Sequence, residues 1–143
     1  MTDTAKLSKK DIEALSEFRY QLRRFLRFSE DIAQGEGLTP LQYQLLLHIK
    51  GYPGREHASI GELAERLQSQ HHGVVALVTR CEKAGLVTRS PGSTDRRQVE
   101  VSLTPLGQQC VARLAEKHHQ ELNSLSKVFK VANISAFNDR NEL

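Results

Sequence analysis

Apolar residues early in the chain fall at Ile12, Leu15, Phe18, Leu22, Phe25, Leu26 and Ile32, at steps mostly of three and four. That spacing predicts one amphipathic helix of about five turns or more. Ser8 with Asp11 three residues on predicts an N-cap and an acidic first turn, and Gly35 and Gly37 predict the end. Thr39-Pro40-Leu41-Gln42 reads as N-cap, N1 proline and capping-box glutamine. The helix that follows, through Tyr43, Leu45, Leu46, Leu47 and Ile49, is apolar on most sides and is expected near the centre of the fold. It ends before Gly51-Tyr52-Pro53-Gly54. A second capping box, Ser59-Ile60-Gly61-Glu62, opens a helix with Ile60, Leu63, Ala64 and Leu67 on one side. After a break at Gln68-Ser69, with Ser69 as the expected N-cap, another helix carries Val74, Val75, Leu77, Val78 and Cys81 and stops at Gly85. Two short helices joined by so tight a turn predict a helix-turn-helix.

Beyond Gly85 the period shortens. Leu86 to Ser90 reads as a strand, Pro91 to Asp95 is rich in turn formers, and Val99, Val101 and Leu103 alternate with Gln98, Glu100 and Ser102. This is a two-strand hairpin with one buried face, a wing. Thr104-Pro105 starts a last long helix with Leu106, Cys110, Val111, Leu114, His118, Glu121 or Leu122, and Leu125 on successive turns. The tail from Asn133 has no clear period and reads as a short helix or a frayed end. The predicted fold is mainly α: a winged helix-turn-helix lobe over residues 38–104, flanked by long helical segments at 8–35 and 104–143, within one domain spanning 1–143.

The 143 residues suffice for one such domain, so any sensing must share the same small body. Twenty basic against 17 acidic residues give a net charge of +3 and a pI near 9.0, too mild to mark a nucleic-acid binder by itself. Placement is more telling: Arg80, Arg89, Arg96 and Arg97 fall within a stretch of 18 residues. No apolar run is long enough to span a bilayer, Met1 to Lys10 is polar, and two cysteines are too few for a disulfide framework. The expectation is a cytoplasmic protein with no membrane partner.

Helix-turn-helix chemistry points to double-stranded DNA, because the second helix fits the major groove and offers its N-terminal side chains to base edges. Here those are Ser69, Gln70, His71, His72 and Gly73, with Ala76 beside them and Arg80 near a phosphate. Glutamine pairs bidentately with adenine, and histidine donates to guanine or phosphate; the plainer reading of the two histidines is a solvated helix start. Gly73 would allow close approach to the groove floor. In the wing, Asp95-Arg96-Arg97 sets two guanidinium groups beside a tight turn, one held by Asp95 as an ion pair and the other free for the minor groove or a phosphate, while Arg89 adds to the positive field. No metal site or cofactor is expected, since no H-x-x-x-H or C-x-x-C spacing occurs. An enzyme is the weakest reading, for no nucleophile-base arrangement or phosphate-binding glycine loop is present.

Four ordered stretches carry a resemblance: Leu38 to Tyr43 (LTPLQY), Ile60 to Leu67 (IGELAERL), Cys81 to Val87 (CEKAGLV), and Asp95-Arg96-Arg97 followed by Val101 to Gly107 (VSLTPLG). Over residues 10–125 the chain resembles the MarR (multiple antibiotic resistance regulator) family. The resemblance implies a homodimer intertwined through its first and last helices, a pseudo-palindromic operator, and repression released by a small-molecule effector or by oxidation. It implies base reading by Gln70, His71 and His72, and minor-groove contact by Arg97. Effectors of the family lodge between the dimer helices and the DNA-binding lobe, which makes Phe25, Phe28, Tyr43 and Leu47 pocket candidates against their plainer reading as core. Many members carry a hydroxyl residue at the place of Gly73, an arginine at Ala76 and a core leucine at Cys81. Cys81 is the redox candidate, with Arg80 and Lys83 nearby; burial as a core filler is the competing reading for it and Cys110. Arg23, Arg24 and Arg27 on the first helix read as a solvated face or as ion pairs across the dimer. Ligand-independent and thiol-responsive DNA binding, and a winged helix that binds protein instead, stand as alternatives.

Overall fold

The computed structural model describes residues 7–114, 117, 119–123 and 126. They form, in order, α1 (Lys9–Gly35), α2 (Pro40–Lys50), β1 (His57–Ser59), α3 (Ile60–Leu67), α4 (His71–Lys83), β2 (Val87–Pro91), β3 (Val99–Leu103) and α5 (Pro105–Arg113). The described residues divide into two compact units, residues 7–31 with those from 117 on, and residues 32–114. The second unit contains the winged helix-turn-helix elements together with the end of α1 and all of α5.

Local hydrogen bonding explains most of the boundaries. Ser8 and Asp11 bond reciprocally, each backbone N–H donating to the other's side chain at 3.1 Å. Complete capping boxes open α2 at Thr39 and Gln42, and α3 at Ser59 and Glu62. Thr104 caps α5 by accepting from the N–H of Gly107. Each such cap is worth about 1 kcal/mol, because it satisfies donors that a helix end otherwise leaves to water.

The expected two-strand wing is part of a three-stranded antiparallel sheet in the order β1-β3-β2. Ala58 lies opposite Val101, and Val101 opposite Arg89. β1 was not predicted: three residues are too few to show a period, and its last residue, Ser59, also caps α3. The sheet and helices enclose one core in which Leu45, Leu46 and Ile49 of α2 meet Leu63, Val74, Leu77, Val78, Cys81, Ala58, Val87, Val101 and Cys110. Full burial of each larger aliphatic side chain stabilises by roughly 1.5–3 kcal/mol, and α2 sits at the centre as its all-round apolarity predicts.

In the other unit the stripe on α1 is only half covered. Phe18, Leu22, Phe25 and Phe28 are half-buried, while Ile12, Leu15, Tyr20 and Leu26 are exposed. Residues 117, 119–123 and 126 are helical, and Ser29 donates to the carboxylate of Glu121. His118, Leu125 and the tail from Asn133 lie outside the described residues. Among the described residues, no helix is long and apolar enough to cross a membrane.

Candidate nucleic-acid interface

The turn between α3 and α4 is tight because Gln68 adopts a left-handed conformation, φ 51°, and ends α3. This displaces the expected cap. Ser69 does not cap α4; its hydroxyl donates to the carbonyl of Leu67, and its N–H donates to Ala64. Gln70 is the N-cap instead and makes no side-chain cap bond, in contrast to Thr39, Ser59 and Thr104. An N-terminus of this kind keeps backbone donors available to an anion.

From there α4 is two-faced. Val74, Leu77, Val78 and Cys81 are buried against Leu63, with Leu67 packed beside them. Gln70, His71, His72, Gly73, Ala76 and Arg80 are all exposed. Around Gly73 an added Cβ would meet nothing within 4 Å, so nothing inside the lobe requires glycine there.

The wing tip is organised by backbone contacts. The N–H of Gly92 donates to Gln98 at 2.7 Å and that of Gln98 to Asp95 at 3.0 Å. A Cβ on Gly92 would stand 2.3 Å from the Asp95 carbonyl oxygen, so only glycine permits this closure. The expected ion pair from Asp95 to an arginine is corrected: its carboxylate accepts from the backbone N–H of Arg97 at 3.0 Å, shaping the turn. Arg96 and Arg97 are exposed, and neither enters an ion pair among the described residues.

Arg89, expected to add to the positive field, is engaged by α4. Its guanidinium is tied to Glu82 at 3.1 Å and Thr79 at 3.0 Å, so its charge is spent within the lobe. Sequence reading also missed a polar cluster at the start of α3. Glu62 accepts from Tyr52 at 2.7 Å and from Arg55, while Arg55 and Arg66 stack over the Tyr52 ring at 4.2 and 5.0 Å. The available signal was an acidic N3 residue preceded by tyrosine and arginine in a Gly/Pro-rich loop. Burial alone would raise the Glu62 carboxyl, yet hydrogen bonds from the Ser59 N–H, Tyr52, the Ser59 side chain and Arg55 hold it at about 2, against an ordinary 4.5. A depressed folded-state value stabilises the lobe fully above 4.5 and loses that contribution as pH falls toward 2. Urea midpoints measured across that window should fall with acid, and Glu62→Gln should flatten part of the fall; an unchanged profile would contradict the cluster.

Residues 36–98 match the model of the MarR family. The resemblance read from the sequence thus holds over that segment. A putative transcriptional regulatory protein for the hcr operon of Thauera aromatica is 33% identical over 98 residues, which cover 68% of this chain and 57% of that protein. The chain spans about half the length of the curated relatives it matches. Among solved structures, AbsC, a MarR family transcriptional regulator from Streptomyces coelicolor, superposes with a TM-score of 0.70 at 23% identity, covering 97% of this chain and 90% of its own. BpsR of Bordetella bronchiseptica, whose DNA binding is regulated by 6-hydroxynicotinic acid, gives 0.59 at 22% identity and 74% coverage of both chains.

The redox candidate Cys81 lies in the core. Cys81 is fully buried, and burial pushes its thiol up to about 11 despite the nearby Arg80. At neutral pH only about one thiol in ten thousand would then be the reactive thiolate, which opposes the redox role. Cys110 is buried too, and its thiol is likewise raised by burial. Peroxide treatment should therefore change duplex binding no differently in Cys81→Ser than in the parent, and a peroxide response lost in the variant would restore the redox reading. Of the pocket candidates, Tyr43 is 2% exposed and Leu47 half-buried in one unit, and Phe25 and Phe28 are half-buried in the other.

Proposed function

We propose that this protein is a transcription regulator that binds double-stranded DNA as a homodimer and represses by occupying a pseudo-palindromic operator. One observation carries the reading: α4 anchors Val74, Leu77, Val78 and Cys81 in the core and turns Gln70, His71, His72 and Arg80 to solvent. A helix so held can enter a major groove without rearrangement, with Gln70, His71 and His72 meeting base edges and Arg80 a phosphate. Arg96 and Arg97, exposed at the wing tip, supply the flanking contact, with Arg97 as the minor-groove residue.

The half-covered apolar stripe of α1 supports the homodimer, since Ile12, Leu15, Tyr20 and Leu26 would be costly to leave in water. Two-fold symmetry then places two recognition helices on half-sites about one helical turn apart. Release by a small molecule follows the example of BpsR and requires a ligand that prefers the non-binding arrangement of the dimer.

Selection of bound sites from a random duplex library with the purified protein tests the reading. A recovered palindrome with a wide centre supports it. Sequence-independent recovery, or none, would sink the specific-regulator reading, and sedimentation as a monomer would sink the dimer.

A further inference from the structure

The wing hairpin joins α4 only through the short turn after Lys83, yet its tip must hold a fixed place if Arg96 and Arg97 are to meet DNA together with the head of α4. Apolar packing of Val87, Val101 and Leu103 anchors the base of the hairpin but is non-directional. The β1–β3 ladder and the Leu86 N–H bond to the Cys81 carbonyl at 3.0 Å hold the base as well, but the side-chain bonds from α4 to the hairpin strands are concentrated at one residue. Arg89 donates its backbone N–H to Glu82 Oε2 at 3.2 Å, and its Nη2 to Glu82 Oε1 at 3.1 Å and to Thr79 Oγ1 at 3.0 Å. The Thr79 hydroxyl in turn donates to the Val75 carbonyl at 2.9 Å, carrying the link into the backbone of α4. Among the described residues, every side-chain hydrogen bond between α4 and the strands β2 and β3 runs through Arg89. Both oxygens of one carboxylate are thus committed to one wing residue, which fixes angle as well as distance.

We infer that the Glu82–Arg89–Thr79 clasp is a positioning device: it sets where the wing arginines stand relative to the recognition helix and so tunes DNA affinity without touching DNA. This rests on the lobe's reading as a DNA binder. Arg89 also holds the Glu82 carboxyl below its usual range, so the pair stays charged near neutrality.

Glu82→Gln removes a negative charge from a DNA-facing lobe, and simple electrostatics would make binding tighter. Positioning requires the opposite. With a fluorescein-labelled mixed-sequence duplex of about 30 base pairs at low salt, E82Q should bind about five- to tenfold more weakly, and R89K, which keeps the charge but loses the fork, should match it. In an R96A/R97A background neither change should weaken binding further, because the contacts they position are gone. Hydrogen exchange at the amides of Arg97 and Gln98 should accelerate in E82Q while the thermal midpoint stays near that of the parent. Equal or tighter binding by E82Q, full additivity with R96A/R97A, or unchanged wing exchange would each overturn the clasp. Failure of the unmodified protein to bind any duplex would instead overturn the DNA-binding reading, and the exchange measurement would still judge the clasp by itself.

Discussion

Gly107→Ala is expected to destabilise the winged lobe by about 3 kcal/mol, visible as a lower urea midpoint with little change in slope. Gly107 is buried in the first turn of α5, where an added Cβ would stand 2.1 Å from the carbonyl oxygen of Leu86 and 3.4 Å from the Cβ of Leu103. That carbonyl cannot step aside, because it accepts from the N–H of Thr104 at 3.0 Å, and Thr104 caps the same helix through Gly107. Relief would require α5 to move off the strand connection and open the core around Cys110. Gly61→Ala is the control. It is exposed within α3, and its Cβ would meet only the Ser59 hydroxyl at 3.9 Å. Here alanine should stabilise, by about 0.5–1 kcal/mol, through a less disordered unfolded chain and better helix propensity. If both variants shift the midpoint alike, the close approach of α5 to Leu86 is wrong.

Arg96→Ala with Arg97→Ala should lower duplex affinity roughly 10- to 100-fold near physiological salt and make its salt dependence shallower by about one to two in log-log slope. Both side chains are exposed and unpaired within the described residues, so the thermal midpoint should not move. That separation of binding from stability is the informative part. Titration at several salt concentrations decides it: a parallel salt slope in the double variant would mean that the wing tip does not contact the phosphate backbone. Arg89 gives the contrast, since its charge is already matched by Glu82.

Features set by neighbours in the chain were legible. The capping boxes at Thr39 and Ser59, the Ser8–Asp11 pair and the Thr104 cap are contacts across three residues, and each was readable from residue type and spacing. The buried face of α4 followed from helical period for the same reason. Contacts that depend on how strands and helices meet were not legible. Arg89 looks like one more surface cation until the fold brings it to a glutamate seven residues back. Asp95 looks like an arginine partner until the closure at Gly92 turns it toward a backbone amide. The Ser69 cap failed by one residue because Gln68, without being glycine, took the left-handed conformation. β1 owes its existence to pairing with β3, a contact between distant parts of the sequence that three residues cannot announce.

The bare start of α4 has a consequence for how such a protein changes over generations. At the other capped helices the residue at the N-cap holds the fold together, and replacing it weakens the whole domain. Gln70 carries no such duty, His71 and His72 are exposed, and Gly73 has open space around it. Substitutions at these four positions are therefore nearly free of folding penalty, so selection can act on which site is recognised without first repairing stability. On the proposed reading, target preference and structural integrity are inherited on different residues of the same helix.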